Sequence, residues 1–199
     1  MNKNYLLAGF LSLALIGTVN AADNQNDSIV SFSKSDYAGW EHQTKEDSAT
    51  IVKDGNTKVL SFNVTVNHKT DHKGNSDGKY LKGWPRLRFK LDKTINLATF
   101  KYLRFDYKIS SNREHPVKTH FLVNFHSDGA KYDYALDLGK EDGQWHEAKI
   151  SIQELIKKAN KPAGAWSQLS YIQLVIAEAK YQDGTKLDIK IKDIFLTKD

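Results

Sequence analysis

Apolar residues recur at every second position in four stretches between Leu60 and Phe125. Leu60, Phe62, Val64 and Val66 alternate with Ser61, Asn63, Thr65 and Asn67. Leu87, Phe89 and Leu91 alternate with Arg86, Arg88 and Lys90, and Trp84 extends the polar series. Leu103, Phe105, Tyr107 and Ile109 alternate with Arg104, Asp106 and Lys108, and Phe121, Val123 and Phe125 with His120, Asn124 and His126. A period of two is that of a strand with one face in a core and one face outward. Further strand-like runs lie at 29–33, 40–43, 49–53, 131–138, 145–150, 171–177 and 187–196. Turn signals such as Asp54-Gly55-Asn56, Glu141-Asp142-Gly143 and Asp183-Gly184 separate many of them. Many short strands at this spacing predict an all-β chain, a jelly-roll β-sandwich of two antiparallel sheets.

One segment carries the helical period instead. Ser151-Ile152-Gln153-Glu154 is a capping box, with Ser followed three residues later by Glu. Ile152, Leu155, Ile156 and Ala159 then share one helical face. Lys157, Lys158 and Lys161 gather where the helix dipole favours cations, and Pro162 stops the helix. This is expected to be a short helix capping one end of the sandwich.

The beginning of the chain follows another logic. Lys3 precedes an apolar run from Tyr5 to Val19, and Val19-Asn20-Ala21 resembles a small-residue cleavage site. Residues 1–21 are therefore expected to be a signal peptide, 22–28 a flexible tail, and 29–199 one β-sandwich domain. Bacterial-type export follows, to the periplasm or the medium, with no membrane association after cleavage. The apolar run is shorter than the roughly 20 residues of a comfortable span. There is no cysteine, so neither a disulfide nor a lipid-attachment thiol is available. The exported domain must hold together by its core, and it is long enough to do so as a monomer.

Charge adds a mild preference. The net charge is +5, and Lys3 is the only charged residue of the first 21, so cleavage leaves +4. A cationic balance favours acidic partners. Nucleic acid is excluded as the expected partner, because the chain is exported and carries no nucleic-acid motif. No nucleophile elbow or phosphate loop is present.

The remaining chemistry points to sugars. Aromatic rings cover the C–H faces of a pyranose, planar polar side chains pair with its hydroxyls, and Arg clamps a carboxylate or sulfate. Trp84, Arg86 and Arg88 offer these devices on one strand, and His120, Asn124 and His126 share a face of another. The long polar segment from Asn67 to Gly83, with Tyr80, feeds into Trp84 and is expected to form a rim. The expected ligand-binding set is Trp84, Arg86, Arg88, Asn67, Tyr80, Arg104, His120, Asn124 and His126. His68 and His72 stand four apart, but the segment is too rich in Gly, Asn and Asp for a helical metal site. Trp145 and Trp166 are assigned to the core or its edge.

The second half has a familiar order. Gly143-Gln144-Trp145 opens a strand ending at Ile150 and leading into the short helix. Leu169-Ser170-Tyr171-Ile172-Gln173-Leu174-Val175-Ile176 follows, and Leu187-Asp188-Ile189-Lys190-Ile191-Lys192-Asp193-Ile194-Phe195-Leu196 closes the chain. With Val30-Ser31-Phe32-Ser33 and Trp40 near the start, the chain resembles the galactose-binding-like jelly-roll domains, a group that includes many carbohydrate-binding modules. The resemblance implies a non-catalytic binder of a polysaccharide or oligosaccharide. It also implies a structural calcium, for which Asp36, Glu41 and Asp193 are the matching acids, although Ser31, Ser33 and Lys34 stand where an acidic pair is usual. The competing expectation is a polysaccharide lyase. Its base would be a His or Tyr, and Arg or Asn would neutralise the uronate.

Overall fold

The computed structural model describes residues 27–32, 40–42, 47–70, 76, 84–114, 118–127 and 130–198. The expected signal peptide, Asp36, His72 and Tyr80 lie outside these residues. Eleven strands stand among the described residues: β1 (Asp27–Val30), β2 (Trp40–His42), β3 (Asp47–Asp54), β4 (Thr57–Thr65), β5 (Arg86–Ile95), β6 (Tyr102–Ser111), β7 (Lys118–Ser127), β8 (Ala130–Lys140), β9 (Asp142–Ser151), β10 (Leu169–Ile176) and β11 (Lys186–Thr197). The helix α1 spans Ile152–Ala159. β1 begins at Asp27, inside the stretch expected to be tail, because Asp27 and Ser28 pair with Leu196 and Phe195.

The strands form two antiparallel sheets, as the alternation predicts. The first runs β3-β4-β11-β6-β9, with β1 also on β11, and the second runs β2-β5-β10-β7-β8. β4 and β1 share one side of β11, β4 against residues 186–191 and β1 against 194–196. The inward positions of both sheets meet in one core. Leu60, Phe62, Leu103, Phe105, Ile189 and Ile191 come from the first sheet, and Leu87, Phe89, Phe121, Phe125, Ile172 and Leu174 from the second. Each such side chain contributes roughly 1.5–3 kcal/mol of transfer free energy. Trp166 is fully buried, with Tyr132 edge-on to its ring at 6.4 Å.

The chain between Thr57 and Ser127 steps from sheet to sheet. β4 and β6 belong to the first, β5 and β7 to the second. Periodicity tells which side chains of each strand point outward, but outward has two opposite directions here. The expected single ligand face therefore divides in two.

α1 is built as its sequence predicts. Ser151 Oγ accepts from Glu154 N at 3.3 Å, and Asn160 ends the helix in the left-handed region with φ +48°. Ile152 and Leu155 are buried, and the helix packs beside the 3-10 turn at Leu97–Thr99. Gly55, φ +62°, is the first central residue of the β3–β4 hairpin, a conformation glycine adopts without a steric penalty.

Candidate carbohydrate-binding face

The outward face of the second sheet carries rows of side chains running across its strands. Arg88, Gln173, Asn124 and Asp133 are successive cross-strand neighbours from β5 to β8. Lys90, Tyr171, His126 and Lys131 form the next row, and Arg86, Val175, Leu122 and Ala135 the row on the other side. Trp84 is exposed just ahead of β5 and next to the buried Pro85, whose carbonyl accepts from Ile176 N at 2.8 Å. Trp84 and Ile51 are the large hydrophobic residues exposed among the described residues.

Tyr171 organises the middle of this face. Its ring stacks on His126 at 4.0 Å with an 18° interplanar angle, and the Arg88 guanidinium lies 4.8 Å from its centroid. His126 and Arg88 reach it from the strands on either side of β10. His126 Nε2 lies 3.2 Å from Gln173 Oε1; with the amide oriented this way, Nε2–H donates. Burial holds the His126 pKa below its ordinary 6.5, with Lys131 and Arg88 adding to the effect and Gln173 opposing it. The imidazole is neutral at pH 7.

The burial of two polar residues is the unusual feature. Asn124 and Gln173 are 5% and 3% exposed, although both lie on the face turned away from the core. Asn124 Oδ1 and Arg86 Nε are buried atoms with no hydrogen-bond partner among the described residues. An unmet buried acceptor costs about 1–3 kcal/mol. A hydroxyl can donate to Asn124, and a hydroxyl or carboxylate oxygen can accept from Arg86.

The expected site residues thus separate. Trp84, Arg86, Arg88, Asn124 and His126 belong to this region, and the backbone of His120, on β7, pairs with that of Asp137. Arg104 does not join them. It lies on β6 in the first sheet, 3.4 Å from Glu147. Asn67 follows β4, also of the first sheet, and its side chain is spent locally: Oδ1 accepts from Lys69 N and Thr70 N, and Nδ2 donates to Thr70 Oγ1. The described base of the polar segment hangs on one end of the sandwich, where Asn67 N donates to Glu178 and His68 N to Asp183. His68 Nε2 donates to the Glu178 carbonyl at 3.1 Å.

Tyr171, Gln173 and Lys131 were not among the expected contacts. Tyr171 and Gln173 alternate with Ile172 and Leu174, the same signal that marked β5 and β7. Tyr132 and Tyr134 occupy the other face of β8 and pack against the core. Trp145, expected in the core or at its edge, is half-buried on the outward side of β9, the edge strand of the first sheet, with Lys192 and Lys108 at 4.3 and 5.2 Å from its ring.

The acids expected for calcium do not form a described cluster. Asp193 Oδ1 and Oδ2 accept from Phe32 N and Ser31 Oγ, both at 2.7 Å, which ties the end of β1 to β11. Glu41 stands on β2 in the other sheet, opposite Arg88. Among the described residues, no three His, Cys, Asp or Glu side chains converge as metal ligands. No described helix is long and apolar enough to cross a membrane.

No protein-family model matches the chain, and no curated protein matches its sequence. Solved structures match it by fold. The family 11 carbohydrate-binding module of a cellulosomal cellulase of Clostridium thermocellum aligns over 87% of this chain and 95% of its own, with TM-score 0.57 and 12% identity. A family 11 module from Clostridium thermocellum in complex with a β-1,3-1,4-mixed-linked tetrasaccharide aligns over 83% and 92%, with TM-score 0.53 and 14% identity. An exo-β-agarase aligns over 85% of this chain but 25% of its own, with TM-score 0.56 and 12% identity. At such identities the likeness is one of architecture: the chain has the jelly-roll β-sandwich fold of carbohydrate-binding modules.

Proposed function

We propose that this chain is an exported, non-catalytic binder of a polysaccharide of acidic character, using the outward face of the second sheet. The observation that carries the reading is the buried polar centre of that face, with Asn124 and Gln173 flanked by Arg86, Arg88, Tyr171 and His126. Tyr171 is already stacked on His126, so its ring fixes the site more than it offers an open platform. Trp84 supplies the exposed ring. A sugar lying across the strands would give hydroxyl donors to Asn124 and place a carboxylate toward Arg86 and Arg88. The basic residues on this face and the fold's likeness to carbohydrate-binding modules support the reading. The sequence of residues 1–21 supports export. A structural calcium at Asp193 belongs to the same reading; a calcium titration that leaves the thermal midpoint unchanged removes it.

The double variant Trp84→Ala/Arg86→Ala tests the site. Glycan retention in affinity electrophoresis should fall by about tenfold or more, the loss expected when an interface centre is truncated. The thermal midpoint should move by no more than about 2 °C, because both residues lie outside the core. Unchanged retention across a glycan panel overturns the proposal. The lyase reading draws on the neutral His126 beside Arg88. It requires ultraviolet absorbance to rise as unsaturated uronate forms from alginate, pectate or a glycosaminoglycan.

A further inference from the structure

The outward face of the first sheet carries its own cationic arrangement. Across β6 and β11, Lys108 lies directly opposite Lys190. Like charges in that position repel. Asp54 resolves the conflict, with its carboxylate 2.6 Å from Lys108 and 3.3 Å from Lys190. The lysines hold the Asp54 carboxyl below the usual carboxylate range. Lys192 is likewise matched, at 3.0 Å from Asp106.

Earlier on β6, the same conflict recurs. Arg104 lies directly opposite Lys149 across β6 and β9. Glu147 answers Arg104 alone, and Arg104 Nε makes no hydrogen bond even so. Lys149 has no carboxylate partner among the described residues. Its ammonium sits 4.0 Å from the centroid of Tyr102, where Lys101 at 5.6 Å and Arg104 at 5.9 Å also converge. Lys101 N donates to Thr197 O at 2.7 Å, which brings Lys198 beside them, over Phe100 at 5.7 Å. Four cations thus stand over the rings of Phe100 and Tyr102, and among the described residues Glu147 is the carboxylate paired with any of them.

We propose that this corner, centred on Lys101, Arg104, Lys149 and Lys198, is a second binding site, and that it takes the sulfate groups of a sulfated polysaccharide. An anion placed there removes the repulsion between Arg104 and Lys149, as Asp54 does for Lys108 and Lys190. Three of the cations meet at Tyr102 and the fourth, Lys198, stands over Phe100, two residues before it, a spread that suits a multiply charged ligand better than a single ion. A lipid surface fits less well, because the exposed large hydrophobic residues of the described chain, Ile51 and Trp84, lie elsewhere and nothing here would insert. The site is independent of the proposal for the second sheet. If both hold, one domain carries ligand faces on opposite sides and can bridge two glycan chains.

The test compares dextran sulfate, uncharged dextran and phosphatidylglycerol vesicles. Lys101→Gln/Lys149→Gln/Lys198→Gln should weaken dextran sulfate binding about tenfold or more, since three ion pairs are lost together. A control with equal charge loss, Lys53→Gln/Lys157→Gln/Lys180→Gln, should change it less than about threefold. Equal losses in the two triple variants, or no loss in the first, overturn the proposal. Vesicle binding that depends on the three lysines, without dextran sulfate binding, overturns it in favour of a membrane surface. Trp84→Ala/Arg86→Ala separates the two faces: if that variant alone abolishes dextran sulfate binding, the first-sheet site is wrong. All variants are surface substitutions, and a thermal melt verifies that each is folded.

Discussion

At the scale of single residues, the ion pair between Arg113 and Glu141 is the most buried among the described residues. Arg113 donates to Glu141 through Nε at 2.9 Å and also through Nη2, and its guanidinium lies 5.0 Å from the Tyr181 ring. The Glu141 side chain is fully buried and that of Arg113 is 16% exposed. Taking one partner away removes the bidentate contact from a buried charge, and breaking a buried pair in this way costs about 3–5 kcal/mol. Arg113→Met and Glu141→Gln should each destabilise by that amount in urea unfolding. The double variant should lose less than the two together, which is the signature of direct coupling. Additive losses would show that each residue is held by other neighbours. His126 gives a second residue-scale prediction. Its folded pKa is below 6.5 because burial disfavours the imidazolium. The unfolded chain therefore binds more protons as pH falls through 6.5, and the stability His126 contributes above that pH is lost toward and below its folded pKa. The difference in unfolding free energy between wild type and His126→Gln should shrink as pH falls from 7 to 5. A constant difference would mean that the ring titrates as it does in water.

Elements were largely legible because their signals are local. Alternation located the core strands, and α1 could be read from its cap, its apolar face and Pro162. Ser151→Ala removes the acceptor for Glu154 N and should cost about 1 kcal/mol, or roughly 2–4 °C of thermal midpoint for a domain of this length. No change would mean that packing of Ile152 and Leu155 alone fixes the helix start. Sheet membership was not legible. β4 and β6 pair with β11, more than 75 residues away in sequence, and a period of two carries no information about distant partners. Arg104 and Asn67 were therefore grouped with Arg86 and His126, although Arg104 lies on the first sheet, across the core, and Asn67 at one end of the sandwich. Whether Trp145 lay in the core or at its edge was open for a related reason, since an aromatic ring under lysines has the same sequence appearance as one in a core. Gln173 and Tyr171 were missed as contacts although their alternation was visible, because they lie between apolar residues that read as a buried strand.

At the scale of the molecule, two cationic faces on one sandwich make the salt dependence of binding informative about both. The second-sheet face carries Arg86, Arg88 and Lys90 on alternate positions of β5, while Lys131 is paired with Asp133 at 3.3 Å. Exposed charges interact over about 8–10 Å near physiological ionic strength, so raising salt several-fold weakens their attraction for a carboxylate. A glycan held by hydroxyl contacts to Asn124 and ring contact with Trp84 would feel little of this. The measurement is cleanest with the first-sheet corner neutralised by Lys101→Gln/Lys149→Gln/Lys198→Gln, so that any remaining salt dependence belongs to the second sheet. In that background, affinity for a uronate-containing glycan should fall about tenfold between low and high salt, and affinity for a neutral glycan should stay nearly flat. If the neutral glycan binds more tightly and without salt dependence, Arg86 and Arg88 serve hydroxyls or the fold, and acidic ligands belong to the first sheet alone. If the uronate glycan loses its salt dependence only in this triple variant while still binding, the acidic preference resides at the corner around Tyr102, and the buried polar centre at Asn124 recognises the neutral part of the same chain.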